Sequence, residues 1–223
     1  VAAHAERMRS FLRLIASAAN SDRVIESAYN PIRAWLYGRG RPQNFRVRYL
    51  HLVRDGRDFL ESEGKVVYDP ESPWPWLRSA PVIIGRWVVF NVGARLLLGW
   101  DSNHYLRVRY EDFLQDPELW VHRIAQFTGW DLREVVERHR ADLAFPMKHI
   151  AAGNSARLLG SVKLRPPTNL PWQLSRNRRA QFWALAGWLA LSLGYRHTSR
   201  RATPILPDEG VPPPPHSSSP THH

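Results

Sequence analysis

Two stretches of the chain alternate apolar with polar side chains at the period of an extended strand: residues 46–53 (RVRYLHLV) and residues 104–110 (HYLRVRY). What lies between them is mainly helical in pattern. Asp55 stands where it can cap a helix running to about Gly64, a Pro- and Trp-rich loop covers Tyr68 to Trp76, and a long apolar helix occupies roughly Pro81 to Leu98. Strands separated by helices pair in parallel, because the crossover returns the chain to the same end of the sheet. The expectation is an α/β layer fold with ligands at the carboxyl ends of its strands.

Upstream, Phe11, Leu12, Leu14, Ile15 and Ala18 fit one helical face, Arg23 to Glu26 reads as a short strand before a turn at Asn30-Pro31, and a second helix reaches about Tyr37. Downstream, Pro117 opens an amphipathic helix through Trp120, Ile124 and Phe127, and Leu132 to Arg140 has helical spacing. Pro146 to Asn169 is a loop by composition. A final helix runs from about Ser175 to Leu193, with Gly194 as its C-cap. Trp183, Leu185, Trp188 and Leu189 fall at helical spacings and are expected to pack a core, with a membrane-surface role as the alternative. The expected organisation is one domain over residues 1–201, partial at its N-terminus, and a Pro/Ser/His-rich disordered tail over residues 202–223.

Composition narrows the function. The 223 residues carry 31 Lys plus Arg against 20 Asp plus Glu, a net charge of +11, and 43% are hydrophobic, enough for a core. With no Cys, a disulfide-stapled module, thiol redox chemistry and Cys-ligated zinc are all excluded. A reducing compartment is compatible with that, and a cytoplasmic location is the expectation. Residues 1–7 hold neither an apolar signal core nor an initiator Met. The most membrane-like window, Ala80 to Trp100, contains Arg86, Asn91 and Arg95, each costly in hydrocarbon, so no transmembrane segment is expected. Asp208 and Glu209 are the only charges after Pro204, which leaves the whole positive excess on the rest of the chain and points to an anionic partner. His51, His139 and the other histidines lack metal-ligand spacing, and no metal is expected.

The sharpest local feature is residues 52–62 (LVRDGRDFLES), where Arg54 leaves a strand and Ser62 lies on the following helix. A guanidinium at a strand's carboxyl end forks a phosphate, and a helix start favours negative charge nearby. A surface Arg paired with Asp55 or Asp58 explains the same residues. Residues 49–62 (YLHLVRDGRDFLES) followed by residues 105–130 (YLRVRYEDFLQDPELWVHRIAQFTGW) resemble the sulfotransferases that use 3′-phosphoadenosine 5′-phosphosulfate (PAPS), most closely their bacterial branch. That resemblance covers roughly Val24 to Tyr195. It implies a three-layer αβα fold with a mostly parallel central sheet, like the P-loop NTPases, and places the cofactor's 3′-phosphate on Arg54 and Ser62. In the second block Tyr110 is implied to pack near the adenine, although a Tyr closing an alternating strand also serves as core.

Residues 149–157 (HIAAGNSAR) are similar to a family loop of the form His, three residues, Gly-Asn-Pro, one residue, Arg, with Ser155 replacing the Pro. The similarity puts Gly153, Asn154 and Arg157 among the cofactor-binding residues. Trp172 falls where the family has an acidic residue shortly ahead of a Trp. Upstream, residues 23–33 (RVIESAYNPIR) resemble a strand that commonly reads Val-Asp-Ser-Ser-Lys, so Glu26 takes the place of an Asp that can receive the acceptor's proton, and Tyr29 that of the Lys. The family's Gly-rich 5′-phosphosulfate loop is not present, and the sequence reads as an N-terminally truncated version lacking its first strand–loop–helix. The activity implied is sulfuryl transfer from PAPS to a hydroxyl or amine on a small molecule, glycan or lipid, without a metal and without nucleic acid, and with little or no turnover by this chain alone. The acceptor and oligomeric state are not specified by these residues. The alternatives are a basic nucleic-acid-binding module, against which the 28 Arg and three Lys are scattered rather than grouped in a motif, and a P-loop kinase fragment, which needs a Walker loop.

Overall fold

The computed structural model describes residues 2–27, 30–39, 46–65, 76, 79–146, 160–163, 174–197 and 206–207. In chain order its elements are α1 (Ala2–Ala18), α2 (Pro31–Gly38), β1 (Tyr49–Val53), α3 (Gly56–Lys65), α4 (Ala80–Leu98), β2 (Tyr105–Arg109), α5 (Tyr110–Gln115), α6 (Pro117–Thr128), α7 (Arg133–Arg140), β3 (Phe145–Pro146), β4 (Ser161–Lys163), α8 (Arg176–Ser192) and β5 (Leu206–Pro207). They form a mixed α/β structure that is mostly helical. The chain divides into two compact units, residues 1–110 with 170–199, and residues 111–169 with 200–223.

In the first unit β1 and β2 pair in parallel, Tyr49 opposite Tyr105 and Val53 opposite Arg109, with α3 and α4 in the crossover. This pair is the part of the expected parallel sheet that the described residues contain. Successive strand residues point to opposite faces, so Tyr49, His51 and Val53 share one face and Leu50 and Leu52 the other, where they are 46% and 56% exposed. No strand forms at Arg23 to Glu26: residues 23–27 are irregular, and no described strand pairs with them. An extended segment without a ladder partner gains no hydrogen bonds to hold it, which is why a short alternating pattern is not enough.

The core lies where α8 packs on α4. Phe182, Ala186, Leu189 and Ala190 of α8 meet Ile83, Ile84 and Trp87 of α4, Leu60 of α3 and Val53 of β1. Phe182 meets Trp87 edge-on at 5.6 Å. By length and composition α4 is apolar enough to cross a membrane, yet Ala80, Ile83, Ile84 and Trp87 are part of this core. The beginning of α3 is seated on the same aromatic pair: a Cβ on Gly56 would overlap the Phe182 ring, with Cζ at 2.7 Å and Trp87 Cε2 at 2.9 Å. Only glycine fits there.

Helix α1 turns a different face inward from the one its apolar spacing suggested. Ala5, Arg9 and Leu12 are buried, whereas Phe11, Leu14 and Ile15 are 61%, 69% and 41% exposed. The deciding residue is Arg9, whose Nη1 donates to the carbonyls of Tyr37 (3.3 Å) and Arg39 (3.0 Å) at the C-terminal end of α2, while Glu6 accepts from its Nη2 at 2.7 Å. Helix ends leave carbonyls unpaired, and this guanidinium satisfies two of them.

A polar cluster ties α4 to the sheet. His51 Nδ1 lies 2.6 Å from the Tyr105 hydroxyl, and Asn91, buried on α4, donates through Nδ2 to the Trp87 carbonyl at 2.7 Å while bonding to His51 with its side chain. The Asn91 bond favours the protonated ring, as an accepting amide oxygen does, so His51 donates to Asn91. Burial pushes the His51 pKa down to about 4, opposed by the Asn91 hydrogen bond and helped by the nearby Arg107 charge. Burial also raises the Tyr105 phenol above its ordinary value.

In the second unit, Asp116 caps α6 by accepting from the Leu119 amide at 3.0 Å, Pro117 starts the helix, and Gly129 ends it at φ 71°. Arg140 forks Glu118 at 3.0 and 2.7 Å, linking α7 to α6 on the surface. The expected loop of residues 146–169 contains β4, which pairs antiparallel with β3 and with β5. Leu206 and Pro207, inside the stretch expected as tail, therefore form an edge strand; the rest of that stretch lies outside the described residues.

Two outcomes follow from this packing. Gly56→Ala lowers stability by about 1–3 kcal/mol in urea unfolding, because the added methyl forces Phe182 or Trp87 aside and outweighs the smaller gain in helix propensity. For His51 the unfolded chain binds a proton near pH 6.5 and the folded one only near pH 4, so stability is full above pH 6.5, falls progressively between there and about 4, and is fully lost below that. On the order of 3 kcal/mol is at stake. Urea midpoints measured at pH 5 and pH 7 should differ more for the parent than for His51→Gln.

Candidate functional site

The carboxyl end of β1 is fastened by three elements at once. Asp55 is fully buried; its Oδ1 accepts from the Arg57 amide at 2.9 Å and its carbonyl from the Phe59 amide at 3.0 Å, which makes it the N-cap of α3. The same carboxylate forks the Arg57 guanidinium, Nε to Oδ1 at 3.0 Å and Nη2 to Oδ2 at 2.7 Å. Arg57 is 1% exposed and gives two further donors to the carbonyls of Arg196 (2.9 Å) and His197 (3.1 Å), just beyond α8. Trp183 lies 5.2 Å from that guanidinium and stacks on His197 at 3.7 Å. The Tyr195 hydroxyl donates to the Val53 carbonyl at 3.2 Å, and Trp87 Nε1 to the Arg54 carbonyl at 3.1 Å.

Arg54, between those two anchored carbonyls, is left facing outward. Its side chain is 34% exposed, and its Nε is shielded from solvent without a hydrogen-bond partner among the described residues. The Asp58 carboxylate, one turn into α3, lies 3.9 Å from Nε, too far for a hydrogen bond. The Tyr110 ring lies 5.7 Å from the guanidinium carbon. Ser62, half-buried, stands one further turn along α3 from Asp58, so Arg54, Asp58 and Ser62 follow one line from the strand end along the helix. Asp55 and Asp58 already bring negative charge to the beginning of α3. An anion seated here would depend on Arg54 rather than on the helix dipole.

Of the residues that sequence reasoning singled out, the structure thus brings Arg54 and Tyr110 together and sets Ser62 on the helix that starts beside them. Glu26 is held elsewhere in its own ion pair, its Oε1 2.9 Å from Arg33 Nη2 on α2. Gly153, Asn154 and Arg157 lie outside the described residues, as do Tyr29 and Trp172. Among the described residues no group of three His, Asp or Glu side chains is placed to hold a metal ion. An open depression in the second unit, lined by Asp112, Asp116, Trp120 and Arg123, includes none of the expected site residues. Sequence reasoning missed Arg57, Trp183 and His197. The one available signal was Asp55 two residues before Arg57, a spacing that lets a cap residue fork the side chain that follows it. Comparison with protein-family models, with curated proteins and with solved structures finds no match.

Removing the Arg57 side chain strands a buried carboxylate. Arg57→Met is expected to cost about 3–5 kcal/mol in denaturant unfolding. Asp55→Asn combined with Arg57→Met should recover part of that loss, since no uncompensated charge then remains. Equal losses in the single and double variants would show that the pair is held by packing alone.

Proposed function

We propose that the junction of β1 and α3 binds a nucleoside 3′-phosphate, and that the chain is a sulfotransferase-like domain of the PAPS-dependent kind, built on a three-layer αβα fold. The observation that carries this reading is the Arg54 guanidinium, projected from the end of a parallel strand with its Nε unpartnered and the Tyr110 ring beside it. A buried N–H without an acceptor costs free energy, and a phosphate oxygen arriving there would supply the missing acceptor together with a full negative charge. Tyr110 offers an aromatic face of the kind nucleobases stack on, and the Ser62 hydroxyl is a donor on the same face of α3.

PAPS is the donor of the sulfuryl group and leaves as adenosine 3′,5′-bisphosphate. In this reading Arg54 and Ser62 hold the 3′-phosphate and Tyr110 the adenine. Glu26 receives the proton of a hydroxyl or amine acceptor, which requires it to exchange its contact with Arg33. The positive excess of the chain supports an anionic ligand in general.

Calorimetry with adenosine 3′,5′-bisphosphate tests this. Arg54→Ala should weaken binding tenfold or more, about 1.5–3 kcal/mol, while adenosine 5′-monophosphate, lacking the 3′-phosphate, should bind more weakly and respond little to the same substitution. Unchanged bisphosphate affinity in Arg54→Ala would sink the assignment. A single-stranded oligonucleotide that binds more tightly than the bisphosphate at physiological salt, with a steep salt slope, would favour the nucleic-acid alternative instead.

A further inference from the structure

The α8 helix has two apolar faces, and the core uses one. Phe182, Ala186, Leu189 and Ala190 are buried, but Leu185, Trp188 and Leu191 are 48%, 60% and 56% exposed. This corrects the expectation that Leu185 and Trp188 pack inside. The spacing i, i+3, i+6 draws the three across an arc of about 120° on the side of the helix away from the core. The same helix has no acidic residue, and its first turn holds Arg176, Arg178 and Arg179, all exposed. Among the described residues none of the three enters an ion pair. Arg178 precedes Leu185 by seven residues, so it lies on the same side of α8, roughly 10 Å along the axis. Cations at a helix N-terminus oppose the macrodipole and weaken the helix unless an anion offsets them.

We propose that α8 is a membrane-surface helix: Leu185, Trp188 and Leu191 enter the interface of an anionic bilayer while Arg176, Arg178 and Arg179 meet lipid phosphates. Charge complementarity selects this occupant. A polyanion such as nucleic acid would neutralise the arginines but has no use for two exposed leucines, and an uncharged apolar partner would leave three guanidiniums unmatched at a dipole end. An anionic interface supplies phosphates beside hydrocarbon, and Trp is favoured at that depth because its ring is apolar with one N–H donor.

Co-sedimentation of the full chain with phosphatidylcholine vesicles, with and without one quarter phosphatidylglycerol, tests the proposal. Binding is expected only to the anionic vesicles and to fall with added salt. Trp188→Ser, which keeps every charge, should weaken it at least fivefold, and Arg176→Gln with Arg178→Gln and Arg179→Gln at least tenfold. Arg7→Gln with Arg46→Gln and Arg133→Gln removes the same net charge elsewhere and should stay within twofold of the parent. All of these positions are exposed, and an unchanged thermal melt confirms that each variant folds. Three results would overturn the proposal: equal binding to neutral vesicles, equal losses in the two arginine triples, or a Trp188-dependent dimer in vesicle-free solution that does not bind lipid.

Discussion

A guanidinium taken out of water has to recover its hydration in hydrogen bonds, and Arg57 does so with an Asp55 carboxylate and two backbone carbonyls. That requirement organises the first unit. Asp55 cannot be satisfied unless α3 begins where it does, because its other duty is to cap that helix. The carbonyls of Arg196 and His197 cannot be reached unless α8 has ended and the chain has turned through Gly194, at φ 87°, to bring Tyr195 under Val53. A buried ion pair of this kind is a weak source of net stability and a strong source of specificity: alternatives that misplace any one element leave a charge stranded in the core.

The consequence for the candidate site is a division of labour between two arginines three residues apart. Arg57 consumes the carboxylate at the helix cap and fixes the backbone, while Arg54 presents its side chain from carbonyls that Trp87 and Tyr195 hold on either side. Rigid support below an outward guanidinium is what ligand recognition needs, since little orientational freedom is then lost on binding.

Much of this was legible in the residues. Strand alternation located β1 and β2, Asp55 and Pro117 marked helix starts, and Gly194 marked an end, because each of those signals acts within a few residues. The failures share a cause as well. No local pattern singles out Arg9 or Arg57, because the carbonyls that bury them belong to segments distant in the chain, and periodicity carries no information about such partners. The Phe11–Leu14–Ile15 stripe lost to Arg9, and Leu185 and Trp188 shared a helix with a larger apolar face, so spacing could say that they were apolar but not which face the core would choose. The bisphosphate reading rests on Arg54 and Tyr110, which the chain brings together from two strand ends. The Gly153 to Arg157 stretch lies outside the described residues.

The reach of the Arg57 contacts also bears on how the chain is made. His197 follows Arg57 by 140 residues, and Tyr195 follows Val53 by 142. At roughly 5–20 residues per second, synthesis leaves an interval of about 7–28 s in which β1 and α3 exist without the segment that completes them. During it the space over Gly56 has no Phe182, and Arg57 has the Asp55 carboxylate without the carbonyls of Arg196 and His197. The nascent chain therefore emerges with its most demanding charge half-coordinated and its aromatic seat open. It is in that interval, rather than in the finished fold, that a ribosome-associated chaperone would find most to hold.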